Sequence, residues 1–113
     1  MDCIFCRIAA GKIPAERVLE DEVAIAIRDI RPQAPTHVLV LPREHVESLW
    51  DPLDEALAGR LFSMAAEVAR KEKLEKGWRL IVNTRAHGGQ EVPHLHLHVL
   101  GGRPLGRMLA PAS

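Results

Sequence analysis

From His94 to Val99 the chain alternates strictly between imidazole and aliphatic side chains, His94-Leu95-His96-Leu97-His98-Val99. In a β-strand successive side chains point to opposite faces. Leu95, Leu97 and Val99 then share one face, and three imidazoles line the other at steps of roughly 6.5–7 Å. A chain built this way needs a sheet with something apolar packed on the aliphatic side. It must also find a use for the histidine side, as a polar surface or a site. Histidine has no special strand preference, and neighbouring imidazoliums repel, so packing alone is a poor reason for the row. Metal binding by the three rings and acid–base or nucleophilic chemistry on a phosphate are the readings left.

The cover for the aliphatic face is legible upstream. Leu53, Leu57, Leu61, Met64 and Val68 recur at three- and four-residue steps, with Glu55, Arg60, Glu67, Arg70 and Glu72 opposite. Asp51 suits an N-cap, Pro52 the first helical position and Asp54 a capping carboxylate. This predicts a helix of about six turns that runs to Lys76 and stops at Gly77. A short helical turn is expected before Gly11. Strands are expected over Val18–Glu20, Val23–Arg28, His37–Leu41, Trp78–Val82 and His94–Leu100. The reading is an α+β fold, an antiparallel sheet of about five strands with one long helix and a short N-terminal helix. With 113 residues the chain fits one domain over 1–113, its core about 3–108 and a short tail over 103–113.

Charge narrows the partners. Fifteen basic residues balance fifteen acidic ones. Proteins of nucleic-acid backbone or anionic membrane surfaces usually carry a basic excess, so neither partner is expected. No apolar run approaches the ~20 residues of a membrane span, and Met1 to Cys6 has no leader-like pattern. A cytoplasmic protein is expected. Its two cysteines, Cys3 and Cys6, stand at a spacing that reads as metal or redox, or as two buried thiols in an apolar turn. A structural zinc site needs two more ligands, for which His45 and His94 are the candidates.

Gly88-Gly89-Gln90 leads toward the histidine segment. Glycines let backbone N–H groups approach an anion, and a glutamine amide can donate to a phosphoryl oxygen. Asp29 closes another strand, where a carboxylate can accept ribose hydroxyls or simply form a turn.

Taken together, Asp29-Ile30-Arg31-Pro32-Gln33-Ala34-Pro35-Thr36-His37, Asn83, Gly88-Gly89-Gln90-Glu91-Val92, the three alternating histidines and Gly101-Gly102 resemble the histidine triad family. Within it the chain is similar to the Hint branch, the purine nucleoside phosphoramidases. The dinucleoside-polyphosphate-cleaving branch shares the triad but usually follows it with a proline-containing segment. The resemblance runs from Cys3 to about Met108. It implies an adenosine 5'-monophosphoramidase-like hydrolase in which His96 attacks the α-phosphorus and His98 donates to phosphoryl oxygens or the leaving amine. Gln90 and loop N–H groups beyond Gly89 stabilise charge, and His37 sets histidine tautomers. Asp29 holds the ribose, Ile30 and other apolar residues sandwich the base, and Asn83 orients ribose or phosphate. Glu91, where animal relatives have serine, contributes its backbone N–H or meets the leaving amine. No metal is needed for the chemistry itself. Some bacterial relatives carry a similar Cys-Cys-His-His set, which makes zinc structural. A homodimer is also implied, joined through Trp78–Asn83 and the helix face with Ala65, Ala66 and Ala69. The alternatives are a nucleotide- or zinc-binding adaptor with incidental catalysis and a dinucleoside polyphosphate hydrolase.

Overall fold

The period-two segments pair as antiparallel neighbours. In the computed structural model, β1 (Arg17–Glu20), β2 (Ala24–Arg28), β3 (Thr36–Pro42), β4 (Trp78–Ile81) and β5 (Leu97–Gly101) form one sheet in the order β1-β2-β3-β5-β4. Helices α1 (Ile4–Ala9) and α2 (Glu55–Lys71) flank it. Residues 3–110 are described; the ends of the expected 1–113 domain, Pro111 of the tail among them, lie outside the described residues.

Both faces of the sheet are covered, and the sequence of β2 shows how. Its alanines, Ala24 and Ala26, lie under α2 with Val38, Val40, Leu97 and Val99. Small side chains there let the helix approach while Leu57, Leu61, Met64 and Val68 fill the gap. Its isoleucines, Ile25 and Ile27, project to the other face and join Leu39, Leu41, Phe5 and Ile8. Each fully buried aliphatic side chain contributes about 1.5–3 kcal/mol, so the thin α1 segment is held by a real second core.

The long helix is shorter than its apolar stripe predicts. Asp54, not Asp51, is the N-cap, its carboxylate accepting from the Leu57 N–H at 3.2 Å. Asp51 is engaged elsewhere, accepting from both the N–H and the hydroxyl of Ser48 at 3.1 Å. At the other end the helix stops at Lys71 instead of Lys76. Lys73 takes a left-handed φ of 61°, and the Lys73 and Leu74 N–H groups return to the Arg70 and Ala69 carbonyls. This paired closure ends the helix without waiting for glycine, because it drives Leu74 into the core. Leu74 lands on Gly101, where an added Cβ would lie 2.9 Å from it. Gly102 follows with φ 98° against Pro35. The two glycines after the histidine strand are therefore needed for packing and backbone geometry.

The histidine strand itself is corrected at its start. The ladder begins at Leu97, opposite Val40. Upstream, the His94 N–H turns back to the Val92 carbonyl at 2.8 Å and the Leu95 N–H goes to the Val46 carbonyl at 2.7 Å, so His94 to His96 lie outside the sheet's hydrogen bonding.

Candidate functional site

The alternation survives this change of hydrogen bonding. Leu95, Leu97 and Val99 pack under α2. The imidazole face, however, is not an open polar surface. His94 is fully buried and His96 nearly so, because α1 lies over them. Phe5 meets both rings edge-on, with centroids 5.7 Å from His94 and 5.2 Å from His96.

Each histidine has a different set of partners, and these fix its tautomer. His96 Nδ1 lies 2.7 Å from the carbonyl oxygen of His94, an acceptor only, so Nδ1 carries the proton and Nε2 keeps a free lone pair. For His98 the chain of donors starts at a backbone N–H. The Gln33 N–H donates to His37 Nδ1 at 3.1 Å. His37 Nε2 then carries the proton and donates to His98 Nδ1 at 2.9 Å. His98 in turn is left with its proton on Nε2. Asp29 Oδ2 stands 3.5 Å from His37 Nε2. Burial, and after it the neighbouring His96 and His37 rings, pushes the His98 pKa down to about 4. Burial also lowers His37, against the opposing pull of Asp29. His98 is thus a neutral N–H donor at physiological pH.

His94 faces the other way. Its Nε2–H donates to the Pro42 carbonyl at 2.8 Å, which aims the Nδ1 lone pair at Cys3 Sγ, 3.3 Å away, and Cys6 Sγ, 3.6 Å away. His45 Nδ1 lies 3.4 Å from Cys6 Sγ. Cys3, Cys6, His45 and His94 form a group able to hold a metal ion. A tetrahedral zinc with ordinary bond lengths separates its sulfur and nitrogen ligands by about 3.6 Å, close to these distances. The Pro42 carbonyl is the type of outer partner that orients a ligating imidazole. Burial and the adjacent Cys3 thiol raise the Cys6 pKa, so a reactive thiolate is not set up by the protein alone.

Other expected residues are dispersed along the rim. The Asp29 carboxylate accepts from the Arg31 N–H at 2.7 Å and so forms a turn. Ile30, next to it, is 91% exposed. Asn83 is half-buried below the loop, its backbone beneath Gly88. Gln90 braces this loop: its amide donates to the Glu47 and Val92 carbonyls, and its oxygen accepts from the Arg85 N–H. The Gly89 and Gln90 N–H groups are likewise turned to the Ala86 and Arg85 carbonyls. Glu91 points to solvent. Of the residues expected to meet phosphate, Gln90 and Gly89 therefore have their donors engaged by backbone carbonyls of the loop and, for the Gln90 amide, of Glu47. Phe5, the Pro42 carbonyl and the Gln33 N–H carry parts of the site that residue types alone do not reveal. Only the place of Phe5 between the two cysteines hinted at its role.

Comparison with known proteins places nearly the whole chain among relatives of the same fold. A family model described as the HIT domain matches residues 10–105. The purine nucleoside phosphoramidase of Escherichia coli strain K12 is 47% identical over 112 residues, which cover 96% of this chain and 94% of that protein. A HIT family hydrolase of Legionella pneumophila superposes with a TM-score of 0.90 at 47% identity, covering 93% of this chain and 96% of that one. A histidine triad protein from Clostridium difficile gives a TM-score of 0.91 at 40% identity, over 96% and 97% of the two chains.

Proposed function

The chain belongs to the HIT domain family, and from that premise we propose that it is an enzyme cleaving the P–N bond of purine nucleoside 5'-phosphoramidates through a nucleotidyl-histidine. The observation that carries this is the state of His96: its Nδ1–H is held by the His94 carbonyl and its Nε2 lone pair is free. A neutral imidazole so held attacks without first losing a proton. A covalent intermediate also divides one difficult displacement into two easier ones.

His96 Nε2 forms a bond to the α-phosphorus as the P–N bond breaks, and the nitrogen leaves as an amine with a proton drawn from solvent. Water then attacks phosphorus, the P–Nε2 bond breaks, and the borrowed proton is returned, so one water is consumed overall. His98 remains neutral and donates Nε2–H to a phosphoryl oxygen, which suits an imidazole with a pKa near 4 better than a role as proton source. His37 positions that donor. Asp29, Ile30 and Asn83 form the nucleoside side of the site. Gln90 and Gly89 shape the phosphate loop, with Glu91 at its exposed rim. One domain, its core about 3–108, carries the whole site.

Cys3, Cys6, His45 and His94 hold a structural zinc in this reading, which ties the N-terminal segment to the catalytic strand and takes no part in the bond changes. A single Cys-x-x-Cys pair used for metal rather than a disulfide framework fits a reducing, cytoplasmic setting. No helix among the described residues is long and apolar enough to cross a membrane. A homodimer forms through the exposed edge of β4, with Trp78 and the 62% exposed Phe62 at the contact. Ala65 and Ala69 are spent on the chain's own core, so only Ala66 of that trio remains for a partner. Light scattering should return twice the 12.5 kDa chain mass.

The direct experiment is incubation with adenosine 5'-phosphoramidate, with AMP release followed and the intermediate trapped by acid-free quench. AMP release with an adenylyl group on His96 is expected. Turnover of diadenosine polyphosphates in preference to the phosphoramidate, or nucleotide binding with no turnover of either, would replace this reading with one of its alternatives.

A further inference from the structure

The support of His96 is assembled from the neighbours of the four cluster residues. The peptide unit joining His94 to Leu95 is clamped on both sides: its carbonyl accepts from His96 Nδ1, and its N–H donates to the Val46 carbonyl. Val46 directly follows His45. Phe5 lies between Cys3 and Cys6, is buried, and stands at 75° to the His96 ring. It is also at 86° to His94. No sheet hydrogen bond holds this stretch, since the ladder starts only at Leu97.

Resting on the reading of His96 as nucleophile, we propose that Phe5 is a positioning residue for it, the ring through which the Cys3–Cys6 segment holds the His96 imidazole in one orientation and one tautomer. Aromatic pairs prefer such edge-to-face contacts, with centroids 4.5–7 Å apart. A ring free to turn about its Cα–Cβ bond would trade the Nδ1–H···O bond for other partners. Phe5 removes that freedom, and the cysteines on either side fix Phe5. The cluster and the nucleophile are then one mechanical unit, although no cluster residue touches the reacting phosphorus.

The test is Phe5→Leu in the full chain, with Phe5→Met as a second filler lacking a ring. Four readouts apply: kcat and KM on the phosphoramidate, zinc content, melting temperature, and the ¹⁵N–¹H imidazole spectrum of His96. Expected are a kcat lower by about tenfold or more with KM within about twofold, zinc retained, and His96 changed from a single Nδ1–H tautomer to a mixture. Stripping and restoring metal in the wild-type chain should produce and reverse the same spectral change. A His96 spectrum and kcat unaltered in whichever variant folds overturns the proposal, as does a loss confined to KM. The spectral arm involves no turnover, so it is separate from the nucleophile assignment, which fails only if no nucleotidyl-His96 is trapped.

Discussion

His94 and His98 lie four residues apart on the same face of the chain, and their surroundings share almost nothing. The His94 ring is fully buried between a backbone carbonyl and two sulfurs. The His98 ring is bonded to a second imidazole that stands beside the Asp29 carboxylate. One end of the row belongs to a group able to hold a metal ion and is closed to solvent; the other leaves an Nε2–H to present. The same residue type is thus placed in two chemical states, because each ring's outer partner chooses which nitrogen keeps its proton. His96 stands between, held from the His94 end and open at Nε2.

Four measurements break or sharpen that contrast. His96→Ala should cost on the order of a thousandfold or more in kcat/KM while nucleotide affinity largely survives. A residual rate above about a tenth of wild type would mean that the junction between the two ends is not where chemistry happens. Next in size, Cys3→Ser with Cys6→Ser should empty the closed end of metal and destabilise the chain by about 2 kcal/mol or more, roughly 10 °C in melting temperature. Elemental analysis of untagged wild-type protein should show about one zinc per chain. Equal stability of metal-free and metal-loaded protein would leave the closed end as an ordinary core.

The third measurement addresses the open end. Burial pushes the His98 pKa down to about 4 in the folded chain, from its ordinary value of 6.5. Between those values the unfolded chain binds more protons, so stability rises with pH there. The contribution is complete above about 6.5 and is progressively lost as pH falls toward 4. An NMR titration of the His98 Cε1–H should show no inflection near 6.5, and His98→Asn should flatten the pH slope of urea unfolding between 6.5 and 4. A normal His98 titration would show that this ring is no more enclosed than a surface histidine. Smallest is Asp54→Ala, which removes the α2 cap for about 1 kcal/mol. It should leave the spectra of both histidine ends unchanged, and a change in either would show that the ends are coupled through the helix.

Periodicity made the sheet and the long helix legible, because alternation and three-to-four spacing report directly on which side chains are buried. It did not locate ends. Asp51 and Asp54 are both acceptable caps by type, and only the tertiary partner Ser48 decides between them. Lys73 is no usual left-handed residue, yet burial of Leu74 against Gly101 outweighs the backbone preference. The site divides similarly. The histidine row, the cysteine pair and His45 come from side-chain chemistry and were readable. The bonds that choose tautomers come from the Pro42 and His94 carbonyls and the Gln33 N–H, backbone groups that side-chain type does not single out. Gln90 shows the converse: an amide suited to phosphate is committed to three backbone partners, two in its own loop and one at Glu47.

The place of β5 inside the sheet has a consequence for how the chain is made. Its pairing Val38↔Val99 joins residues 61 apart, 99 minus 38, whereas β1, β2 and β3 are near neighbours in sequence. Closing so long a loop is slow relative to forming local hairpins, even though its entropic cost grows only logarithmically with length. During synthesis the inner edge of β3, a run of buried aliphatic residues, stays unpaired until almost the whole chain has emerged. His96 stands immediately before the strand that seals this edge, so the nascent chain passes through its most adhesive stage before the histidine row is in place.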